Sequence, residues 1–130
     1  MRLIRSEALA SRAPYAYAAV AEGISRLVFT AGACPLDENG NTVCVGDFAG
    51  QARRCVENLE IALRASGASL TDVVKTTIYV ASSEQEDLVV AWDVIRAAFG
   101  DHDAPSTLLG VTVLGYDDQL VEIEAIAVIE

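Results

Sequence analysis

The C-terminal segment Leu120–Ala127 is an apolar run interrupted only by two carboxylates at alternate positions, Glu122 and Glu124. Side chains two residues apart on a β-strand share a face and lie roughly 6–7 Å from each other. We therefore predict a strand that projects both carboxylates from one face and buries its other face in a core. The residues on the predicted core face are Val121, Ile123, Ala125 and Ala127. A sheet face in contact with solvent accounts for the two glutamates without any function, and this interpretation stays open.

Short apolar stretches elsewhere in the chain predict the other strands of a sheet. Val73–Val80 is rich in β-branched residues, which is typical of a central strand. Asp37–Asn41 is a turn cluster in which Asn39-Gly40 supplies the positive φ that a hairpin needs. The remaining predicted strands are Arg2–Arg5, Ala16–Val20, Leu27–Ala31, Thr107–Leu114 and Leu120–Ile129.

Two amphipathic helices are predicted between these strands. Asp47 is a suitable N-cap for the first helix, and Gly67 is placed to end it. Ser83 is a suitable N-cap for the second helix, and Gly100 follows as its stop. Residues three and four positions apart form one apolar face on each helix. The predicted faces are Phe48, Ala52, Cys55, Leu59, Ala62 and Leu63 on the first, and Leu88, Trp92, Ile95 and Phe99 on the second. We interpret Trp92 as a large core residue rather than as a ligand contact.

The order of these elements predicts an α+β fold, a mixed sheet with two helices packed on one face. Strands open the chain, a helix, a strand and a second helix follow, and two strands close it. The 130 residues show no internal repeat, low-complexity tract or linker, so we expect one domain over residues 1–130. A chain of this length buries well over half of the surface that it exposes when unfolded.

Charge and hydropathy exclude several classes of function. Nine basic residues against nineteen acidic ones give a net charge of −10, which repels phosphate backbones, so we expect no nucleic-acid partner. The one neighbouring basic pair, Arg53-Arg54, is expected on the solvated side of a helix. No segment has the ~18–20 uninterrupted apolar residues that span a bilayer, and the N-terminus lacks an apolar run of secretory type. We therefore expect a cytoplasmic protein without a membrane partner.

Cysteine and histidine usage argues against a metal centre. Cys34, Cys44 and Cys55 form an odd set without Cys-x-x-Cys spacing, which disfavours both a disulfide framework and a zinc knuckle. The single histidine, His102, lies in a polar loop and is predicted to be solvated. We expect neither a metal nor a cofactor. For Cys34, which precedes Pro35 at a turn, a small buried residue and a reactive thiol are both open interpretations, and we favour the first.

Five segments, in the same order and at the same spacing, resemble the RidA/YjgF family of small trimeric proteins, and together they extend over nearly all of the chain. They are Ala13–Ala18, resembling the family's Gly-Pro-Tyr-Ser-Gln-Ala; Leu27–Leu36, resembling its strand and Ser-Gly-Gln-Ile-Pro turn; Asn58-Leu59; Gly67–Val80; and Val121–Ala125. The resemblance implies a chorismate-mutase-like fold, in which three subunits pack their sheets around a central barrel. It also implies clefts between neighbouring subunits in which a small molecule binds.

The same resemblance implies which residues face such a cleft. Tyr15 is at the position of the family's cleft tyrosine, and Glu122 matches the glutamate that positions the attacking water. Backbone groups near Gly32 and Cys34 form part of the wall. For Tyr15, a half-buried aromatic in a Pro-Tyr turn stays open as the alternative.

One expected residue is missing from the implied site. In active members an arginine that follows Pro-Ala, just before the penultimate strand, holds the substrate's carboxylate. Here the alignment of Asp103–Val111 places Ser106 at that position, and no Arg or Lys occurs from Ala97 to Glu130. A guanidinium binds a carboxylate through two parallel charge-assisted bonds, whereas a serine hydroxyl carries no charge. This departure disfavours the family's usual substrates, 2-imino or 2-aminoacrylic acids that are hydrolysed to 2-keto acids and ammonia.

Two functions from different classes follow. The first is an enzyme that hydrolyses or tautomerises an enamine or imine lacking an α-carboxylate, with Glu122 handling the proton or the water. The second is a non-catalytic trimer that binds a metabolite or a partner protein. The retained Tyr15 and Glu122 favour the first function, and Ser106 favours the second.

Overall fold

A computed structural model describes all of the chain, residues 1–130, and contains two α-helices and six strands. In chain order they are β1 (Arg2–Ile4), β2 (Ala18–Val20), β3 (Arg26–Phe29), α1 (Phe48–Ala65), β4 (Val73–Val80), α2 (Gln85–Phe99), β5 (Ser106–Gly110) and β6 (Val121–Ile129). Neither helix is long and apolar enough to cross a membrane.

The main sheet is mixed, with the strand order β3-β6-β4-β5. β6 runs antiparallel to both of its neighbours, β3 and β4, whereas β5 pairs parallel with β4. The parallel pair needs a crossover connection, and α2 supplies it. β1 and β2 form a separate antiparallel pair. The predicted α+β fold with a mixed sheet and two helices is confirmed.

The core lies between one face of this sheet and the two helices. The alternation of β6 places Val121, Ile123, Ala125 and Ala127 in that core, as predicted, and leaves Glu122 and Glu124 on the other face. From α1 the core takes Cys55, Val56, Leu59 and Leu63, and from α2 it takes Ala91 and Ile95. Ala62 is exposed, so this part of the predicted apolar face of α1 is wrong.

The ends of α1 were predicted correctly. The Asp47 side chain accepts a hydrogen bond from the Gly50 backbone N–H at 2.9 Å, which is the expected N-cap contact. Gly67 follows the helix with a φ of +79°, the left-handed conformation in which glycine ends many helices.

The start of α2 differs from the prediction. Glu84, not Ser83, occupies the N-cap position, and its side chain makes no capping bond. Ser82 makes the hydrogen bonds at the start of the helix instead. Its hydroxyl accepts a hydrogen bond from the Glu84 N–H at 2.9 Å and donates one to the Asp87 carboxylate at 2.7 Å. The end at Gly100 is confirmed.

β5 is shorter than predicted because its partner strand ends. β4 stops at Val80, and the Val111 N–H donates to the Val80 carbonyl at 2.8 Å. Beyond that bond no neighbouring strand remains for residues 112–114. The chain leaves the sheet there and returns as β6.

Candidate ligand-binding site

Glu122 lies near the start of β6, on the face of the sheet that the helices leave open. Its carboxylate oxygen Oε1 accepts two hydrogen bonds, from the Cys34 Sγ at 3.2 Å and from the Gln119 Nε2 at 3.2 Å. Cross-strand pairing places Tyr79 of β4 beside it. The residue is half-buried, and both of these bonds go to Oε1.

Gly32 allows the Glu122 carboxylate to approach the backbone. A Cβ atom at this position would collide with the carboxylate group of Glu122. The loop is tied to β6 by Ala33, whose N–H donates to the Ile123 carbonyl at 2.7 Å and whose carbonyl accepts from the Ile123 N–H at 3.1 Å. The structure therefore brings Gly32, Cys34 and Glu122 together in one place.

Two buried glutamines, which sequence analysis missed, hold this group in position. Gln119 is 4% exposed. Its side-chain amide donates hydrogen bonds to the Glu122 carboxylate and to the Val121 carbonyl, and its side-chain oxygen accepts one from the Tyr116 N–H. Gln51 of α1 is fully buried and fixes the same loop through the Asp118 carbonyl and the Leu120 N–H. A polar residue in a loop or on a helix carries no local signal that distant backbone groups will surround it.

The Cys34 thiol is a hydrogen-bond donor in this group. Burial, and then the bond to the Glu122 carboxylate and its negative charge, raise the pKa of Cys34 to about 11. Burial also raises the pKa of Cys55, and Cys44 is exposed. Cys34 is therefore a protonated thiol at neutral pH, which supports the interpretation of a partly buried packing residue over that of a reactive one.

Alkylation should distinguish the three cysteines. At pH 8 only about one in a thousand Cys34 side chains would be thiolate, so iodoacetamide should label Cys44 first and Cys34 far more slowly. The Glu122→Gln substitution removes the charge that opposes ionisation and should accelerate labelling of Cys34. Peptide mass mapping over time measures both rates. Equal labelling of Cys34 and Cys44 in the unmodified protein would contradict the assigned environment.

Tyr15 and Ser106 belong to a second group, beside the edge strand β5. They line an open groove of about 440 Å³ together with Pro14, Trp92, Thr107 and Leu108. The Tyr15 and Trp92 rings meet edge to face, with 6.3 Å between their centroids. Trp92 packs against the core as predicted, but it also lines this groove, which the core interpretation did not anticipate.

The Ser106 hydroxyl is already engaged within the chain. It donates to the Ala104 carbonyl at 2.9 Å and accepts from the Thr76 Oγ1 at 2.6 Å. Its hydrogen is thus already donated to the Ala104 carbonyl. In this arrangement Ser106 offers a ligand an oxygen acceptor at most, and no charge.

The two groups lie on opposite faces of the sheet. Ser106 pairs with Thr76, which is 1% exposed on the helix face, whereas Glu122 pairs with Tyr79 on the open face. Three residues along the strands and two strand spacings separate Ser106 from Glu122, about 10 Å in each direction. Within one chain, Glu122 and Ser106 therefore do not face one small molecule.

The open face around Glu122 combines polar and apolar side chains. The Tyr79 hydroxyl donates to Glu124 at 2.7 Å, and this bond, followed by desolvation, raises the pKa of Tyr79. Lys75 donates to the Thr107 hydroxyl at 2.6 Å. The largest exposed apolar side chain of this face is Phe29, of which 69% is accessible.

His102 is not the solvated residue that its loop suggested. Its Nε2 lies 2.7 Å from the Val73 carbonyl, and its ring stacks on Phe99 at 6.5 Å. It joins the loop after α2 to the start of β4. No group of three or more His, Cys, Asp or Glu side chains is placed to hold a metal ion.

Comparisons with known proteins agree with this architecture. A family model described as endoribonuclease L-PSP matches residues 5–129. A RutC family protein of Pyrococcus abyssi is 34% identical over 104 residues, 80% of each chain. The 2-iminobutanoate/2-iminopropanoate deaminase of Salmonella typhimurium is 32% identical over 120 residues, 89% of this chain and 91% of that protein. A crystal structure of a Rid family protein from Yersinia pestis superposes with a TM-score of 0.90 at 30% identity, over 98% of both chains.

Proposed function

The chain belongs to the endoribonuclease L-PSP family, which is the RidA/YjgF family, and from this membership we propose that it is a homotrimer that binds a small molecule in clefts between subunits. The proposed reaction is the hydrolysis or tautomerisation of an enamine or imine that lacks an α-carboxylate. Two relatives are imine or aminoacrylate deaminases by name, from Salmonella typhimurium and Acinetobacter baylyi.

The placement of the two residue groups on opposite faces of the sheet is the main observation that supports this proposal. Glu122 with Gly32 and Cys34 occupies the open face, while Tyr15 and Ser106 lie by the β5 edge on the helix side. One small molecule can contact both groups only if a second copy of the chain brings its β5 edge to the open face of the first. A heterologous contact of this kind, repeated three times, closes a ring with three equivalent clefts.

The apolar character of the open face supports the same assembly. Leu27 and Phe29 of β3 and Leu109 of β5 expose 50%, 69% and 43% of their areas there, and the helices cover only the other face. Leu27 and Phe29 share one face of β3, and neighbouring exposed apolar side chains are typical of an interaction surface. Packing of the three sheets against each other would remove this area from water.

The chemistry assigned to the cleft depends on Glu122. Its second oxygen, Oε2, has no hydrogen-bond partner within the chain, since Cys34 and Gln119 both donate to Oε1. In hydrolysis, Glu122 would take a proton from water as the water adds to the imine carbon and pass it to the nitrogen; the C–N bond of the resulting carbinolamine then breaks, its hydroxyl proton moves to nitrogen, and ammonia leaves. In tautomerisation, it would move a proton between carbon and nitrogen of the enamine.

A second candidate is a non-catalytic trimer that binds a metabolite or a partner protein. Ser106 favours it, because the hydroxyl is bound to Ala104 and Thr76 and β5 carries no cation. The family description also names an endoribonuclease, but a net charge of −10 opposes binding of a phosphate backbone. RNA cleavage is therefore not proposed for this chain.

Ammonia release from two imines tests the proposal. Benzaldimine generated in situ from benzylamine by an amine oxidase has no carboxylate, whereas 2-iminopropanoate generated from alanine by an amino-acid oxidase has one beside the imine carbon. We expect the protein to accelerate ammonia release from the first and to have little or no effect on the second, since Ser106 cannot replace a bidentate charged clamp. No acceleration of either would favour the binding-only function. A rate on 2-iminopropanoate as high as on benzaldimine would mean that another cation binds the α-carboxylate.

An arginine introduced at position 106 should change the preference for an imine without a carboxylate. Ser106→Arg places a guanidinium in the groove beside Trp92 and should raise activity toward 2-iminopropanoate. Ser83→Arg is the matched control, because Ser83 is an exposed serine before α2 that does not line the groove. An equal gain for Ser83→Arg would show that added positive charge, rather than a guanidinium in the groove, raises the activity.

A further inference from the structure

Arg96 lies next to the groove of Tyr15 and Ser106 and has no partner within the chain. A narrow crevice of about 20 Å³ adjoins that groove and shares Pro14, Trp92 and Ser106 with it, and Arg96 lines this crevice. The guanidinium takes part in no ion pair or hydrogen bond. It therefore offers its donors to a ligand or to water.

The other polar groups of the crevice are already occupied. Asp103 forms an ion pair with Arg5 at 2.8 Å, so its negative charge is offset. His102 is bound to the Val73 carbonyl. Of the groups that line the crevice, Arg96 is the one that carries an uncompensated charge, and the charge is positive in a chain of net −10.

The dimensions indicate how a ligand would lie. Trp92 and Arg96 are four residues apart on α2, which is one helical turn and about 6 Å along the axis. The crevice has room for a group the size of a water molecule, so an anionic group would sit at its mouth, against the exposed guanidinium. The wider groove between Tyr15, Trp92 and Leu108 would then hold an apolar, planar portion of the same molecule.

We propose that Arg96 and Trp92 select a ligand with a planar, unsaturated or aromatic body and a carboxylate remote from its reacting carbon. This inference rests on the proposed function and specifies its substrate class, an imine or enamine with a distal rather than an α-carboxylate. Arg96 would bind the carboxylate, and Trp92 with Tyr15 would contact the planar body. The imine end would project from the groove toward Glu122 of the adjacent subunit.

A structural role for Arg96 predicts a different behaviour. The residue lies in the last turn of α2, where a cation interacts favourably with the helix dipole. That role would affect the stability of the helix without discriminating between ligands. Discrimination between a charged ligand and its neutral isostere therefore separates the two roles.

Binding of trans-cinnamate and of its neutral isostere trans-cinnamamide tests the inference on the full chain by titration calorimetry. Both are planar and neither reacts, so the result does not depend on turnover. We expect cinnamate to bind about tenfold or more tightly, because a charge-assisted pair replaces a neutral contact. Arg96→Gln should abolish this preference. Arg53→Gln is the matched control, since Arg53 is another exposed helical arginine without an ion pair.

Trp92→Phe tests the apolar half of the site with a change that keeps an aromatic core residue. It should weaken both probes by a similar factor and leave the ratio of their affinities unchanged. Absence of saturable cinnamate binding, equal affinity for the two probes, or a preference that survives Arg96→Gln would each overturn the inference. If cinnamate fails to bind while benzaldimine is still hydrolysed, the substrate class is wrong and the proposed function stands.

Discussion

Replacing Glu122 with Gln should slow turnover of an accepted imine by about 10²–10⁴-fold, the range that a general acid–base contributes. Gln keeps the shape of the side chain and can still accept hydrogen bonds from Cys34 and Gln119 through its carbonyl oxygen. It cannot take a proton from water or from carbon. Steady-state ammonia release from benzaldimine, corrected for the uncatalysed rate, measures the effect.

Glu124→Gln is the control for this substitution. Glu124 lies two residues away on the same face of β6, and its partner is the Tyr79 hydroxyl. An amide oxygen can accept that bond as well, so the rate should change little. Equal, small effects from the two substitutions would contradict the role of Glu122 as the proton-transfer group. Circular dichroism and light scattering would establish that both variants keep their fold and assembly.

Phe29→Glu should convert the assembly to monomers and abolish turnover. The Phe29 side chain is 69% exposed on the open face of the sheet, where three chains are proposed to meet. A carboxylate there would have to be desolvated at each of three equivalent contacts, next to the acidic Glu124 of the same face. Light scattering should give a mass near 13.8 kDa, that of one chain, in place of the trimer mass.

Val89→Glu is the matched control for assembly. Val89 is also an exposed apolar residue, at 50%, but it lies on α2, on the side of the protein away from the open sheet face. It should leave both the mass and the rate unchanged. A monomer mass for the unmodified chain, or a Phe29→Glu variant that stays trimeric, would refute the proposed assembly. Phe29→Glu monomers that still turn over the imine would point to a site within one chain.

Much of the fold follows from local signals in the sequence. The β-branched run Val73–Val80 forms a strand with the predicted bounds, and Asp47 caps α1 as expected. Errors arise where contacts with residues distant in the sequence determine the bounds of an element or the burial of a side chain. The end of β5 depends on where β4 stops, and Ala62 follows the helical period although it lies outside the core. Ser82, not Ser83, makes the hydrogen bonds at the start of α2, because its hydroxyl lies beside the Glu84 N–H and the Asp87 carboxylate.

The candidate site was less accessible to sequence analysis than the fold. The period of a strand places Glu122 and Glu124 on one face, but it does not give the register between β4 and β5 that puts Ser106 on the opposite face. The contacts of Gln119 likewise come from backbone groups that only folding brings near. Trp92 meets the criteria for a core residue and for a groove wall, because it is only partly buried.

The placement of the two groups on opposite faces of the sheet also affects how such a protein can diverge. Substitutions beside Tyr15 and Trp92 fall on half-exposed side chains at a sheet edge, where changes cost little stability. The Glu122 environment is held by two buried glutamines, and a side chain at Gly32 would displace the Glu122 carboxylate, so changes there disturb the position of that group. Mutation can therefore alter what the groove accepts while the carboxylate that would do the chemistry stays in place.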